Sequence, residues 1–221
     1  GAGDRLPVEL AYMGPYGAWL AWIESRPDLD GDGAGGYGIS LGGYFALRAA
    51  AHVSRLKAVL GNAGPYNFGD LWDGLPGLTR EAFRVRSRSS TDEEARGKAA
   101  ELTLAGVYRV RCPTLVVFGK LDRIIPFSEA ERTAAIQGVE LVTYETGNHG
   151  VTDEAFASRP LTAAWLARRL GAGQPLSLSA ERWAAGATGA AAGRRWRGER
   201  RAARGPRDGR RGCFTGRVEQ L

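Results

Sequence analysis

The chain has 221 residues, 43% of them hydrophobic, with six Trp, a composition that supplies one globular core and excludes both a second full domain and a chain disordered throughout. No apolar run approaches the roughly 20 residues that a membrane span requires, and residues 1–5 lack the basic and apolar regions of a secretory leader. The net charge of +6 is uneven: from Ala172 onward there are 11 Arg, no Lys and 4 acidic residues, which leaves 19 basic and 20 acidic side chains for residues 1–171.

Taken in chain order, the first expected element is a helix over about residues 15–25. Four short β-rich runs follow, at 35–38, 56–60, 114–118 and 140–144. The last two, TLVVF and ELVTY, are β-branched and bounded by turn residues. An Ala-rich helix over 42–52 sits between the first two runs. A helix over about 128–136, with Pro126 just before it, joins the last two, and another begins near Pro160 and ends at Gly171. This alternation predicts a parallel sheet with helices on its faces. Residues 66–109 interrupt the alternation. There, Thr91 and Glu94 form a capping box that opens a helix through about Leu104, so the segment reads as a lid or pocket wall between two strands. From 172 to 221 Gly, Ala and Arg dominate and apolar periodicity fades, the signature of a basic, disordered, low-complexity tail.

The chemistry concentrates at Gly38-Ile39-Ser40-Leu41-Gly42-Gly43, a G-x-S-x-G motif between a strand and a helix. That setting forces a serine into strained backbone geometry, so small residues are expected two positions before and after it. The hydroxyl projects above the sheet's carboxyl edge, and the N–H of Leu41 faces a developing oxyanion. A serine needs a base, and the chain has two histidines. His149, in Thr146-Gly147-Asn148-His149-Gly150, follows the last strand; His52 ends the helix behind the serine, where it meets solvent or caps the helix. An orienting carboxylate is expected after another strand, and Asp122, in the loop following Phe118, meets that requirement. The order Ser40, Asp122, His149 is that of the α/β hydrolases.

From about Tyr16 to Leu170 the chain resembles one branch of that superfamily, which contains the dihydroxypseudooxynicotine hydrolases and lies near the FrsA-like and prolyl-oligopeptidase-like esterases. The resemblance rests on AWIESRPDLDGD before the first strand, GISLGGYFALRAAAHVSRLKA at the serine, CPTLVVFGKLDRIIP at the acid and TGNHG at the base. It implies the C-terminal half of an α/β-hydrolase fold over residues 1–171, a mostly parallel sheet with flanking helices. It also implies hydrolysis of a ketone-type C–C bond or an ester through an acyl-enzyme. In that branch further strands precede the point where this sequence opens, and a loop among them supplies the first oxyanion donor. The expectation is therefore a chain truncated at its N-terminus, left with the Leu41 N–H alone. Removing one such donor costs about a hundred- to a thousandfold in rate. The Gly-rich strand entering the serine would then stand as an open sheet edge.

Neither metal nor organic cofactor is expected, and the partner is a small carbonyl compound whose binding residues stay unassigned. Association with copies of itself is left open. Asp28-Leu29-Asp30-Gly31-Asp32-Gly33 begins like a calcium loop, but its twelfth position is Ile39 where a bidentate Glu is required. Gly33-Ala34-Gly35-Gly36-Tyr37-Gly38 fits G-x-G-x-x-G without a preceding strand. Trp72, Phe83 and Tyr108 are candidates for pocket wall or plain core. Cys112 and Cys213, far apart and without metal-ligand spacing, suit free thiols in a reducing cytoplasm. Three other readings stand beside the hydrolase: a prolyl-oligopeptidase-like peptidase, a catalytically impaired fragment, and a nucleic-acid binder acting through the Arg-rich tail.

Overall fold

The computed structural model describes residues 13–171, with side chains from Tyr16 on. The expectation of a disordered tail over 172–221 lies outside the described residues.

Four strands form one parallel sheet in the order β1-β2-β3-β4: Gly35–Ile39, Ala58–Asn62, Arg109–Gly119 and Gln137–Tyr144. The expected alternation is present, and each connection between strands contains helix, as parallel neighbours require. Helix α1 (Met13–Glu24) precedes β1, and α2 (Leu41–His52) leads from β1 to β2. Helices α3 (Gly77–Arg86) and α4 (Asp92–Ala100) lie between β2 and β3, α5 (Phe127–Ala134) lies between β3 and β4, and α6 (Ala155–Leu170) follows β4.

Both faces of the sheet are covered, which explains why β2 is buried at every residue. On one face Ala58, Leu60, Leu115 and Val117 pack with Leu161 and Trp165 of α6. On the other, Val116 and Phe118 pack with Tyr44 and Leu47 of α2, Ala130 of α5 and the buried residues of the 66–109 segment. Leu20 of α1 seats with Ala46, Ala49 and Ala50 of α2. Strand β1 is the terminal strand of the described sheet, and its Tyr37 and Ile39 are exposed.

Several boundaries move from their sequence-based positions. Strand β2 starts two residues later than expected because Leu56 is turned in as a buried anchor, its N–H donating to the Val53 carbonyl. Strand β3 begins five residues early, at Arg109, with a register irregularity between Arg109 and Thr114 on the β4 side. Its pairing to β2 starts only at Thr114, so Pro113, which has no N–H, removes nothing from that ladder. Helix α6 starts at Ala155 and carries Pro160 in its second turn, where one i→i−4 bond is forgone. It ends at Gly171 in the left-handed conformation, as Gly at that position suggests.

Residues 66–109 form a module with a closed neck. The Phe68 N–H donates to the Leu102 carbonyl (2.9 Å), the Leu104 N–H donates to the Tyr66 carbonyl (2.8 Å), and Asn67 pairs antiparallel with Thr103. Thr91 caps α4 as expected, its hydroxyl accepting from the Glu94 N–H, while the Glu94 carboxylate reaches back to the Ser90 N–H. The helix stops at Ala100 rather than Leu104, because Leu102 and Leu104 are fully buried in the neck. Glu129 fastens the entrance: one buried carboxylate oxygen accepts from the N–H groups of Tyr66 and Asn67 (2.9 and 2.8 Å), and the other accepts from Arg132 (3.0 Å).

Candidate active site

Parallel strands end at one rim, so the loops after β1, β2, β3 and β4 all open together there. The three expected reactive side chains each sit in one of those loops.

Ser40 joins β1 to α2 with φ 57° and ψ −127°, a region that non-glycine residues avoid. Its N–H donates to the Asn62 carbonyl at the tip of β2 (2.8 Å), while its carbonyl accepts from Gly43 (2.8 Å) and Tyr44 (3.3 Å). The turn is tight enough that a Cβ on Gly38 would run into the Gly42 carbonyl. The expectation that position 42 must also be small is not met: a Cβ on Gly42 would find nothing within 4 Å. The crowding falls one residue later, where a Cβ on Gly43 would lie 2.9 Å from Gly64 Cα in the loop after β2. Leu41 is the first residue of α2, so its N–H is one of the helix's unpaired donors, at the positive end of the helix dipole.

Asp122 follows β3 with a fully buried carboxylate. Its Oδ1 accepts from the N–H groups of Ile124 (2.8 Å) and Ile125 (2.9 Å), and its Oδ2 lies 2.7 Å from His149 Nδ1. Held at three points, the carboxylate fixes the imidazole's orientation and favours the tautomer with the proton on Nδ1. The Asp122 and His149 loops touch backbone to backbone, since a Cβ on Gly119 would run into the Gly147 carbonyl. The His149 loop is heavily tied. The Asn148 N–H donates to Asp153, and the Asn148 side chain accepts from the Thr152 N–H (2.9 Å) and hydroxyl (3.0 Å). Gly150 and Val151 both have positive φ, 69° and 53°. The Asn62 amide donates to the Gly150 carbonyl at 2.9 Å, and Gly150 faces Ile39, the residue before Ser40.

The structure thus pairs Asp122 with His149 and puts Ser40 in a neighbouring loop of the same rim. Among the described residues the Ser40 hydroxyl makes no hydrogen bond to the imidazole. A cavity of about 190 Å³ opens beside the serine, walled by Leu41, Phe68, Leu75, Phe83, Ile124 and Ile125. Thr79 and Arg86 of α3 add its polar edge.

Of the three flagged aromatics, Phe83 lines this cavity, Trp72 supports it from behind in an edge contact with Phe83 (centroids 5.8 Å), and Tyr108 is 84% exposed. His52 ends α2, exposed; burial first, then Arg48 and Arg111, holds its ring below the usual histidine range. Tyr144 closes β4 below the His149 loop, its hydroxyl buried and pushed up to about 12, by burial first and by the Glu154 carboxylate second. Asp28 pairs with Arg26, and Asp30 caps a short turn through the Asp32 N–H, so the calcium-like stretch is an acidic turn. Among the described residues no group of three or more His, Cys, Asp or Glu is placed to hold a metal ion. Nor is any described helix long and apolar enough to cross a membrane.

Sequence reasoning missed Asn62 and, apart from Phe83, the wall residues of α3. An Asn after an apolar strand reads as a turn former, and only one residue of α3, Phe83, is buried, so that helix has no apolar stripe to announce it.

Residues 16–172 match the family model described as the prolyl oligopeptidase family. Over 157 residues the chain is 32% identical to the 2,6-dihydropseudooxynicotine hydrolase of Paenarthrobacter nicotinovorans, an alignment covering 69% of this chain and 42% of that protein. The crystal structure of the 2,6-dihydroxy-pseudo-oxynicotine hydrolase superposes with a TM-score of 0.70 and 28% identity, over 77% of this chain and 50% of that one. AbyA5 matches in fold, with a TM-score of 0.67 and 21% identity over 82% of this chain and 53% of its own. The acylaminoacyl peptidase of Pyrococcus horikoshii does so as well, at 0.55 and 18%, over 74% of this chain and 28% of its own. The chain spans about half the length, or less, of the proteins it matches.

Proposed function

Since the chain belongs to the prolyl oligopeptidase family of serine hydrolases, we propose that Ser40, Asp122 and His149 form its catalytic triad and that it cleaves a C–C bond beside a ketone, or an ester. The observation that carries this is the buried Asp122 carboxylate 2.7 Å from His149 Nδ1, in loops that share a rim with a serine in nucleophile-elbow geometry. In this reading a rotation of side chains brings His149 Nε2 to the Ser40 hydroxyl when substrate binds. His149 takes the hydroxyl proton as Oγ attacks the carbonyl carbon, Asp122 steadies the imidazolium, and the Leu41 N–H faces the oxyanion. Collapse breaks the scissile bond, and His149 returns the proton to the leaving alkoxide or enolate. Water, deprotonated by the same imidazole, then releases the acyl group as a carboxylic acid and frees Ser40.

The apolar cavity beside Ser40 suits a small carbonyl compound with a hydrophobic body. The C–C reading follows the family resemblance of the sequence motifs, and the family description favours peptide cleavage as a second reading. The division into a hydrolase part over residues 1–171 and a basic segment over 172–221 belongs to the same proposal. So does a cytoplasmic location, in keeping with Cys112 as an unpaired thiol.

The test is labelling by a fluorophosphonate probe together with turnover of nitrophenyl esters, β-diketones and aminoacyl amides. Ser40→Ala should abolish both labelling and turnover. Undiminished labelling of that variant would remove Ser40 from the role, and preferred turnover of the amides would establish the peptidase reading instead.

A further inference from the structure

Asn62 ends the central strand β2 between the serine and the histidine loops, and it touches both. Its backbone carbonyl accepts the Ser40 N–H at 2.8 Å, and its side-chain Nδ2 donates to the Gly150 carbonyl at 2.9 Å. The first bond fixes the height of the strained elbow, and its neighbour Ile39 is in strand register with Asn62. The second bond reaches the residue after His149, at the point where Gly150 and Val151 carry consecutive positive φ values.

The chemistry of the amide makes this arrangement informative. Asn62 is only 5% exposed, and its Oδ1 is buried without a hydrogen-bond donor among the described residues. Burying an unpaired acceptor is unfavourable, so what keeps an amide here is its donor, which satisfies the buried Gly150 carbonyl. The Nδ2 donor is the part of the side chain that is used, and it is used on the base loop.

We propose that Asn62 is a positioning residue for the reaction, one that sets the distance between the Ser40 hydroxyl and the His149 imidazole by holding both loops to one strand end. The inference rests on the triad reading above. Without the amide donor the Gly150 carbonyl is released, the strained backbone at Val151 relaxes, and the His149 loop is no longer tied to the end of β2. The elbow itself stays in place, because the backbone carbonyl of residue 62 is retained in any variant. Pocket contacts are also untouched, since Asn62 is not among the cavity's lining residues.

The test uses the full chain with Asn62→Leu and Asn62→Val, both apolar and both lacking a side-chain donor. Misplacing a reacting group by about 1 Å costs on the order of a hundredfold in rate, so kcat and the rate of fluorophosphonate labelling should fall about ten- to a hundredfold. KM and the melting temperature should stay near wild type in at least the Leu variant, and Asn62→Ser, which restores a shorter donor, should recover part of kcat. A kcat that does not change in Asn62→Leu overturns the assignment. So does a loss of kcat matched by an equal loss of folded protein in both donor-less variants, which would make Asn62 framework. Ser40→Ala, run in parallel, separates the two claims: labelling that survives in that variant defeats the triad, whatever the Asn62 variants do.

Discussion

Replacing Gly43 by Ala tests the elbow more sharply than replacing a glycine of the motif's own spacing. A Cβ at residue 43 would lie 2.9 Å from Gly64 Cα, 3.1 Å from the Gly64 nitrogen and 3.1 Å from the Asn62 carbonyl oxygen. All three are backbone atoms, so no side chain can swing away. Carbon atoms pack comfortably at about 3.5–4 Å, so the start of α2 must withdraw from the β2 loop by about 0.5–1 Å to make room. Ser40 is the N-cap of that helix and moves with it. The expected result is a loss of about 1–3 kcal/mol of stability from overpacking and a fall of about a hundredfold in kcat from misplacement of the hydroxyl. Gly42→Ala is the matched control. Nothing lies within 4 Å of its new methyl, and Ala is favoured over Gly inside a helix by about 0.5–1 kcal/mol. That variant should melt at a higher urea concentration and turn over close to wild type. Urea unfolding followed by tryptophan fluorescence, paired with nitrophenyl ester hydrolysis, measures both quantities. Equal damage from the two substitutions, or a fully active Gly43→Ala, would refute the steric argument.

Two further outcomes follow from buried polar groups. Glu129→Ala strands the N–H groups of Tyr66 and Asn67 and leaves Arg132 with Asp70 alone, so urea unfolding should show a loss of about 2–4 kcal/mol; a loss within the scatter of surface substitutions would show that the neck does not depend on it. Tyr144, whose folded value is pushed up to about 12, holds its proton more tightly folded than unfolded. Below about pH 10 both states keep this phenol protonated; as pH rises toward about 12 only the unfolded state ionises it, and stability falls by on the order of 2–3 kcal/mol. Tyr144→Phe should flatten that alkaline decline and, by removing an unpartnered buried hydroxyl, stabilise the chain by about 1 kcal/mol at neutral pH; an unchanged alkaline limb in urea titrations would count against the assignment.

What could be read from the sequence was whatever depends on local pattern. The serine turn shows itself because G-I-S-L-G-G sits between a β-rich run and an Ala-rich stretch. Asp122 and His149 show themselves because each follows a strand within a few residues. What could not be read depends on contacts between distant segments. Gly43 is required small by Gly64, not by its own motif, so spacing alone assigns the constraint to Gly42. The first half of β3 is hidden by Pro113, whose missing N–H matters only if a second strand lies on that side. Pro160 marks a helix start in sequence, yet α6 runs through it because the preceding turn has Ser158 buried with its N–H on Glu154. Asn62 acquires significance only from the loop 88 residues away that its amide meets.

The closed neck of residues 66–109 has an evolutionary corollary. Because the chain leaves the sheet and returns to it through one short antiparallel rung, with Glu129 latching the doorway from outside, the length between Phe68 and Leu102 is independent of the strand register, although its buried side chains share a core with β3 and α2. The stretch that carries Leu75, Thr79, Phe83 and Arg86 to the serine's cavity can therefore change in length without shifting the strands, provided that its buried face is kept. Nature, or a designer, could in this way reshape the cavity beside Ser40 while leaving the loops at the ends of β1, β3 and β4 in place.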